Sequence, residues 1–176
     1  MYDALTKFLQ VLNMPQADTL IQLFRFKKWA DTETLQAISK VDVLASPKNH
    51  HLMLRLMNHI HVVDEIFKAN LTGLAHGYTA LNTPETPSCQ KLMDKMLSCD
   101  EWFISYIENL DDFSLSRIIR FTFVDGGQGK MKAIDMLNHV SHHGTYHRGA
   151  VGWLLSECKV TPPKDVLTVF LRDHCV

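Results

Sequence analysis

The sequence predicts an all-α protein, a four-helix bundle with a small β-hairpin inserted before the last long helix. Two observations support this fold class. Four stretches of about 20–26 residues carry apolar residues at spacings of three and four, which is the period of an amphipathic helix. One segment, RIIRFTFVDGG, instead has a β-branched and aromatic run followed by Asp-Gly-Gly, which is typical of a hairpin turn. Four long helices around one hairpin favour a bundle.

The elements are predicted in order from their boundary residues. Ser46 and Pro47 are typical of a helix start, and Gly73 is typical of a helix end. Pro162 and Pro163 interrupt the chain after the last long helix. The prediction is a short helix at 2–12, helices at 16–39, 47–71 and 88–109, a hairpin at 117–131, a helix at 132–157 and a final short helix at 163–173. No repeat or linker divides residues 1–176, so we expect a single domain.

The composition excludes several classes of protein. The chain has 176 residues, 46% hydrophobic and 21% charged, with 18 basic and 19 acidic residues and a net charge of −1. Such a balance favours neither nucleic acid nor a membrane surface as a partner. There is no apolar run near the roughly 20 residues that span a bilayer, and the N-terminus lacks a signal-peptide pattern. The four cysteines form no CxxC pair. We expect reduced thiols and a cytoplasmic protein.

The run NHVSHHGTYHRG contains four histidines within nine residues: His139, His142, His143 and His147. His143 and His147 are four residues apart, so on a helix their side chains lie on the same face. Two imidazoles in this arrangement can chelate one divalent metal ion. A third ligand from elsewhere would leave part of the coordination sphere open, as in a catalytic metal site.

Helical phase distinguishes inward from outward histidines on the last long helix. His143 and His147 are predicted to lie on its apolar stripe, with His139 at the edge and His142 about 100° away. The other members of that predicted stripe are Met136, Val140, Ala150 and Leu154.

The helix predicted at 47–71 has a comparable apolar stripe, which we call its seam. His59 lies on this seam, at the position between Leu56 and Val63 where an apolar residue would be expected. The apolar members of this seam are Leu52, Leu56, Val63 and Ile66. His61 shares a face with Asp64, Glu65 and Lys68, so we expect it to be solvated. His59 is therefore the predicted third metal ligand.

The alternative is that these histidines are ordinary core residues, each hydrogen-bonded within the protein. HxxxH by itself is a weak signal, but three inward imidazoles would each need a partner in the core. A shared metal ion satisfies one nitrogen of each ring. The sequence contains no HExxH, paired ExxH, P-loop, GxGxxG or GxSxG motif, which argues against zincin proteases, ferritin-like di-iron proteins, nucleotide-binding enzymes and α/β-hydrolases.

Three segments resemble the DinB-like family, which is also grouped with YfiT-type metal-dependent enzymes. LFRFKKWADTETL at 22–35 is similar to the family's opening helix, and LMNHIHVVDEIFKANLTG at 56–73 to its His-x4-Asp helix. NHVSHHGTYHRG at 138–149 is similar to its Asn-His-x-x-His-Arg-Gly signature, and the tail LLSECKVTPPKDVLTVFL to its ending. The resemblance implies a four-helix bundle, often a homodimer, with a metal site formed by His59, His143 and His147. Nickel or zinc is the metal that it implies.

The family includes S-transferases and isomerases that use mycothiol, bacillithiol or glutathione, so the resemblance also implies a low-molecular-weight thiol as co-substrate. Three positions depart from the family pattern. Ala150 stands where Gln is common, Phe67 where Trp is common, and His142 where Asn is common. The first two changes remove no ligand.

Three hypotheses follow for the function. The first is a metal-dependent enzyme in which the ion lowers the pKa of a thiol or water, giving thiol transfer or hydrolysis of a small-molecule substrate. Its candidate catalytic residues are Tyr146, Arg148 and His139; for Arg148 the more ordinary interpretation is a solvated helix arginine. The second is a non-catalytic metal-binding or stress-response protein. The third is a metal-free structural domain. A cavity beside the histidines would favour the enzyme.

Overall fold

The computed structural model describes residues 16–174, so the predicted helix at 2–12 lies outside the described residues. The described chain is mostly helical with a small two-stranded antiparallel sheet, as predicted, and the short helix α4 was not predicted. In order the elements are α1 (Gln16–Ile38), α2 (Pro47–Thr72), α3 (Cys89–Glu108), α4 (Asp112–Ser116), β1 (Ile118–Thr122), β2 (Gln128–Lys132), α5 (Ala133–Glu157) and α6 (Leu167–His174).

The ends of α2 show why the chain changes direction there. Ser46 is the N-cap residue, as predicted, but its side chain accepts no hydrogen bond from the helix. Pro47 occupies the first turn, where a missing N–H costs nothing. At the other end Gly73 has φ +71°, a conformation that glycine adopts without steric cost. The Leu74 N–H then donates to the Ala69 carbonyl at 2.9 Å, which closes the helix.

The hairpin forms although its second strand has few good strand-forming residues. Phe121 pairs with Gly129, and a β-carbon at Gly129 would lie 2.5–2.7 Å from the Phe121 ring. The ring therefore lies directly over the glycine and is buried. Gly126 has φ +89° in the turn, and the Gly127 N–H donates to Asp125 Oδ1 at 2.9 Å. Packing of the hairpin on the helices compensates for weak local propensity.

The four long helices bury two apolar clusters. Helix α1 packs against α3 and α5, and α2 packs against the same two helices. The first cluster includes Phe24 and Phe103, whose ring centroids are 5.0 Å apart, together with the hairpin residues Ile119 and Phe121. The second cluster, toward the other end of the helices, includes Leu35, Ile38, Met53, Met57, Ile60, Leu92, Met96, Val151 and Leu155. Between the two clusters each long helix contributes at least one buried charged side chain.

Helix α6 covers the outer side of α1. Phe170 packs its ring 5.9 Å from Phe26 and 5.7 Å from Trp29, between ring centroids. The segment before α6 brings Asp165 back to α5, where it pairs with Arg148. The C-terminal part of the chain therefore contributes to the buried charges described below.

Two expectations from composition can be compared with the structure. Among the helices of residues 16–174, none combines the length and the apolar character needed to cross a bilayer. Cys89, Cys99 and Cys158 are free thiols, as predicted, and Cys175 lies outside the described residues.

Candidate metal centre

The three histidines selected from the sequence come together between α2 and α5. One ligand atom from each of His59, His143 and His147 lies within 4.8 Å of the other two. Their ring centroids are 4.5–4.8 Å apart, and His59 Nε2 is 3.0 Å from His143 Nε2. Two imidazole nitrogens bound to one tetrahedral zinc ion would be about 3.3 Å apart, given Zn–N bonds near 2.0–2.1 Å. The distance between the His59 and His143 nitrogens is close to this value.

The loop after α2 orients His59. Its Nδ1 lies 2.7 Å from the Leu81 carbonyl oxygen, so the Nδ1–H donates and the lone pair is on Nε2, facing His143. A carbonyl acceptor of this kind is the usual partner of a metal-binding histidine. The Nδ1 of His143 is also buried, but it has no hydrogen-bond partner among the described residues.

The site favours neutral imidazoles. Burial, and then the neighbouring His147 and His59, lower the pKa of His143 to about 3. Burial, and then His59, also lowers the pKa of His147. Both rings are therefore uncharged near neutral pH in the absence of a metal. Neutral nitrogens are the form that binds a divalent cation, so little proton competition would oppose binding.

The remaining residues of the histidine run lie around this site rather than in it. His139 is exposed. Its ring centroid lies 4.7 Å from that of Phe67 and 5.4 Å from that of His143. His142 is exposed and its Nδ1 bonds to the Asn138 carbonyl at 2.7 Å, as its helical phase predicted. Tyr146 is 77% exposed, with its ring against the edge of His147.

A cavity of about 500 Å³ lies beside His59. Its wall is formed by Arg55, one helical turn before His59, and by residues 77–84. This loop is held against α2 by side-chain hydrogen bonds: Asn58 donates to Asn82 and Thr83, and Arg55 donates to the Thr83 carbonyl. The loop therefore positions both the Leu81 carbonyl and the cavity wall.

Arg148, next to the last histidine, is buried rather than solvated. It is 2% exposed, and its guanidinium donates to Asp31 Oδ1 at 2.9 Å and to both oxygens of Asp165 at 2.8 and 3.2 Å. Gly144, one turn earlier, leaves room for it, since a β-carbon there would lie 2.8 Å from Nη1 of Arg148 and 3.4 Å from Cε of Lys27.

Lys27 is the centre of the buried charges. Its Nζ lies 2.8 Å from Asp31, 2.7 Å from Asp64 and 2.7 Å from Asp100, and all four residues are buried. We call these four residues, with Arg148, the charged layer. Burial opposes the charge on Lys27, but the three carboxylates outweigh it and hold its pKa well above the usual range.

The carboxyls of the charged layer differ in their protonation. Burial raises the pKa of Asp64 to about 7 and that of Asp100 to about 8, although Lys27 acts in the opposite direction on both. At Asp31 burial is outweighed by Lys27 and Arg148, which lower its pKa. Asp64 and Asp100 therefore bind protons near neutral pH, whereas Asp31 is ionised.

Four sequence-based predictions about side-chain direction were wrong. His61 was expected in solvent with Asp64, and Arg148 was interpreted as a solvated arginine; all three are buried. Ala150 was placed on the buried stripe and is exposed, and Leu52 was placed on the seam of α2 and is 46% exposed. The reason is that α2 contacts three long helices and α5 contacts two, so the buried part of each helix surface is wider than one apolar stripe.

The charged layer was missed because pairing across helices is not visible in one sequence. A weak signal existed. Lys27 is three residues after the core residue Phe24, and Asp100 is four after Met96, so both occupy core positions of their helices.

A model of the DinB family matches residues 13–173, nearly the whole chain. The chain belongs to the DinB family. This confirms the resemblance drawn from the three motifs, and two of them carry the histidines of the DinB site described above. Neither the curated proteins nor the solved structures include a significant match to this chain.

Proposed function

We propose that this DinB-family protein is a metal-dependent enzyme, built as a four-helix bundle, that activates a low-molecular-weight thiol or water at His59, His143 and His147. The reaction class is thiol S-transfer or hydrolysis. When bound, a divalent ion, nickel or zinc, would supply Lewis-acid activation of the thiol or water. The convergence of three imidazoles on one point carries this proposal.

The cavity beside His59 supports an enzyme over a protein that only stores metal. A closed site would have no room for a substrate, whereas this cavity of about 500 Å³ is within the range of small-molecule sites. Arg55 lines it and carries a positive charge one turn from His59. We therefore expect a substrate with an anionic group, bound by Arg55 and not by the buried Arg148.

The candidate catalytic residues have unequal support. His139 and Tyr146 both contact the histidine site through their rings, so either can exchange a proton with a group bound there. Arg148 is already paired with Asp31 and Asp165. We assign it a positioning role, holding the last turn of the histidine run against α1.

Metal content tests the site itself. His143→Ala should lose one equivalent of bound metal relative to the wild type, as measured by elemental analysis after loading with nickel or zinc. His142→Ala is the matched control, because the neighbouring histidine is exposed and outside the site. Unchanged stoichiometry in His143→Ala would show that the three histidines do not hold the ion.

Turnover tests the reaction. The metal-loaded protein is incubated with glutathione, bacillithiol or mycothiol and a reactive electrophile, and separately with activated esters. We expect product formation that is lost in His143→Ala and retained in His142→Ala. In Arg55→Met, KM for an anionic substrate should rise more than kcat falls. Metal binding without turnover on any of these substrates would favour the non-catalytic metal-binding protein.

The proposal extends to assembly and location. Tyr146 and Trp153 are exposed two turns apart on the outer face of α5, and this apolar face supports the homodimer expected from the resemblance. Light scattering should give a dimer mass that Trp153→Glu reduces to that of a monomer. The free thiols support a cytoplasmic location.

A further inference from the structure

A second group of metal-ligand side chains lies on the opposite face of α2. His61 and Glu65 are four residues apart and share a face, and Cys99 approaches them from α3. One ligand atom from each of the three lies within 4.8 Å of the other two. His59 and His61 are two residues apart, about 200° around the helix. The His61–Glu65–Cys99 cluster is therefore separate from the three-histidine site.

The imidazole of this cluster lacks a partner that it needs. His61 is 6% exposed, and its Nδ1 is buried with no hydrogen-bond partner among residues 16–174. An unpaired buried polar atom is costly, and such atoms in native proteins commonly mark the place of a ligand or ion. Cys99 is 1% exposed and is a free thiol. Nitrogen, sulfur and carboxylate oxygen together form a donor set that suits zinc.

Cys99 is protonated in the metal-free protein. Burial, and then the nearby Asp64 and Glu65, raise the pKa of its thiol far above its usual range, so a bound cation would have to displace that proton. Lys68 pairs with Glu65 Oε1 at 3.2 Å, which leaves the second carboxylate oxygen for a metal.

A cavity lies beside the carboxylate of the cluster. This cavity of about 310 Å³ is lined by Glu65, Lys68, His76, Tyr78 and Trp102. Glu65 is half-buried and forms part of its wall. Of the three proposed ligands only Glu65 lines this cavity, so an ion entering it would meet the carboxylate first.

We propose that His61, Glu65 and Cys99 form a second metal site, which binds a divalent cation of the zinc and cobalt class. On binding, the S–H bond of Cys99 breaks, a sulfur–metal bond forms and the proton passes to solvent. No electron is transferred. This site is distinct from the proposed function, because it needs none of the three histidines at the α2–α5 interface.

Cobalt(II) provides a probe that separates the two sites. A sulfur-to-cobalt charge-transfer band in the near ultraviolet arises only where a thiolate binds the ion, and the three-histidine site has no sulfur ligand. Metal-free, reduced full-length protein is titrated with cobalt(II). We expect one equivalent of the sulfur band in the wild type, unchanged in His143→Ala, which lacks the first site.

Variants then assign the sulfur. The band should disappear in Cys99→Ser and remain in Cys89→Ser. Cys89 is the control because it is a half-buried thiol at the start of α3 that donates to the Leu35 carbonyl of α1, away from the cluster. Glu65→Gln, a change at a half-buried position, should weaken cobalt binding at least about tenfold, a typical effect of altering a metal site.

The wild-type titration decides the question even if Cys99→Ser does not fold. Absence of the sulfur band in the wild type, or its persistence in a folded Cys99→Ser, would overturn the second site. Loss of metal in His143→Ala bears only on the first site, so the failure of one proposal is distinguishable from the failure of the other.

Discussion

Replacing Lys27 with methionine should be among the most destabilising single changes in this protein at neutral to alkaline pH. The ammonium group lies within 2.8 Å of three buried carboxyls, and the substitution leaves Asp64 and Asp100 without their cation. Removing one partner of a buried ion pair costs about 3–5 kcal/mol. Asp31 keeps Arg148 as a partner, so we expect a value in that range rather than a multiple of it.

Urea unfolding followed by circular dichroism measures this loss for metal-free Lys27→Met. Lys28→Met is the matched control: Lys28 pairs with Glu101 at 2.8 Å, but the two side chains are 33% and 63% exposed. An exposed pair contributes about 0–1 kcal/mol. The deficit of Lys27→Met should be largest above about pH 8, where Asp64 and Asp100 are ionised, and should shrink at pH 5, because both then carry protons. A loss no larger than that of Lys28→Met, or one independent of pH, would refute the reasoning.

Three further outcomes are expected from the same unfolding assay. Gly144→Ala should destabilise the protein by about 1–3 kcal/mol, because the added methyl group would meet the guanidinium of Arg148. Gly149→Ala is the control and should be neutral or stabilising, since a β-carbon there has nothing within 4 Å. Equal effects of the two substitutions would contradict this. In the metal-free wild type, Asp64 and Asp100 have pKa values of about 7 and about 8 in the folded protein, against 3.8 in the unfolded chain. The folded protein therefore binds more protons, and the free energy of unfolding should fall as pH rises from about 4 to about 8. A rise across this window would show that the two carboxyls are ionised throughout. Phe24→Ala should cost about 3–5 kcal/mol, since it empties the centre of the first apolar cluster; a loss under about 1 kcal/mol would contradict the packing.

The three-histidine site was predictable because helical phase acts locally. His143 and His147 are neighbours on α5 through the helix geometry alone, and His59 occupies a seam position on α2. Only the pairing of α2 with α5 had to be supplied by the fold. The boundaries of the long helices were predicted to within about two residues, for the same reason.

What could not be predicted depends on contacts between distant segments. The tethers that hold residues 77–84 over His59 join side chains more than twenty residues apart, and no periodic pattern marks them. Likewise, in the sequence alone Asp64 and Arg148 resemble surface residues, because their partners Lys27 and Asp31 lie on a different helix. Helix α4 is only five residues long, too short for a periodic signal.

The charged layer also constrains how the helices can slide along their axes. On α1, Lys27 pairs with Asp64 of α2 and Asp31 pairs with Arg148 of α5. These ion pairs fix the axial positions of the two histidine-bearing helices relative to α1. Moving either helix by a single turn would displace its charged group by about 5.4 Å and strand it in the core. The same ion pairs hold His59 level with His143 and His147, so the convergence of the three imidazoles depends on the charged layer.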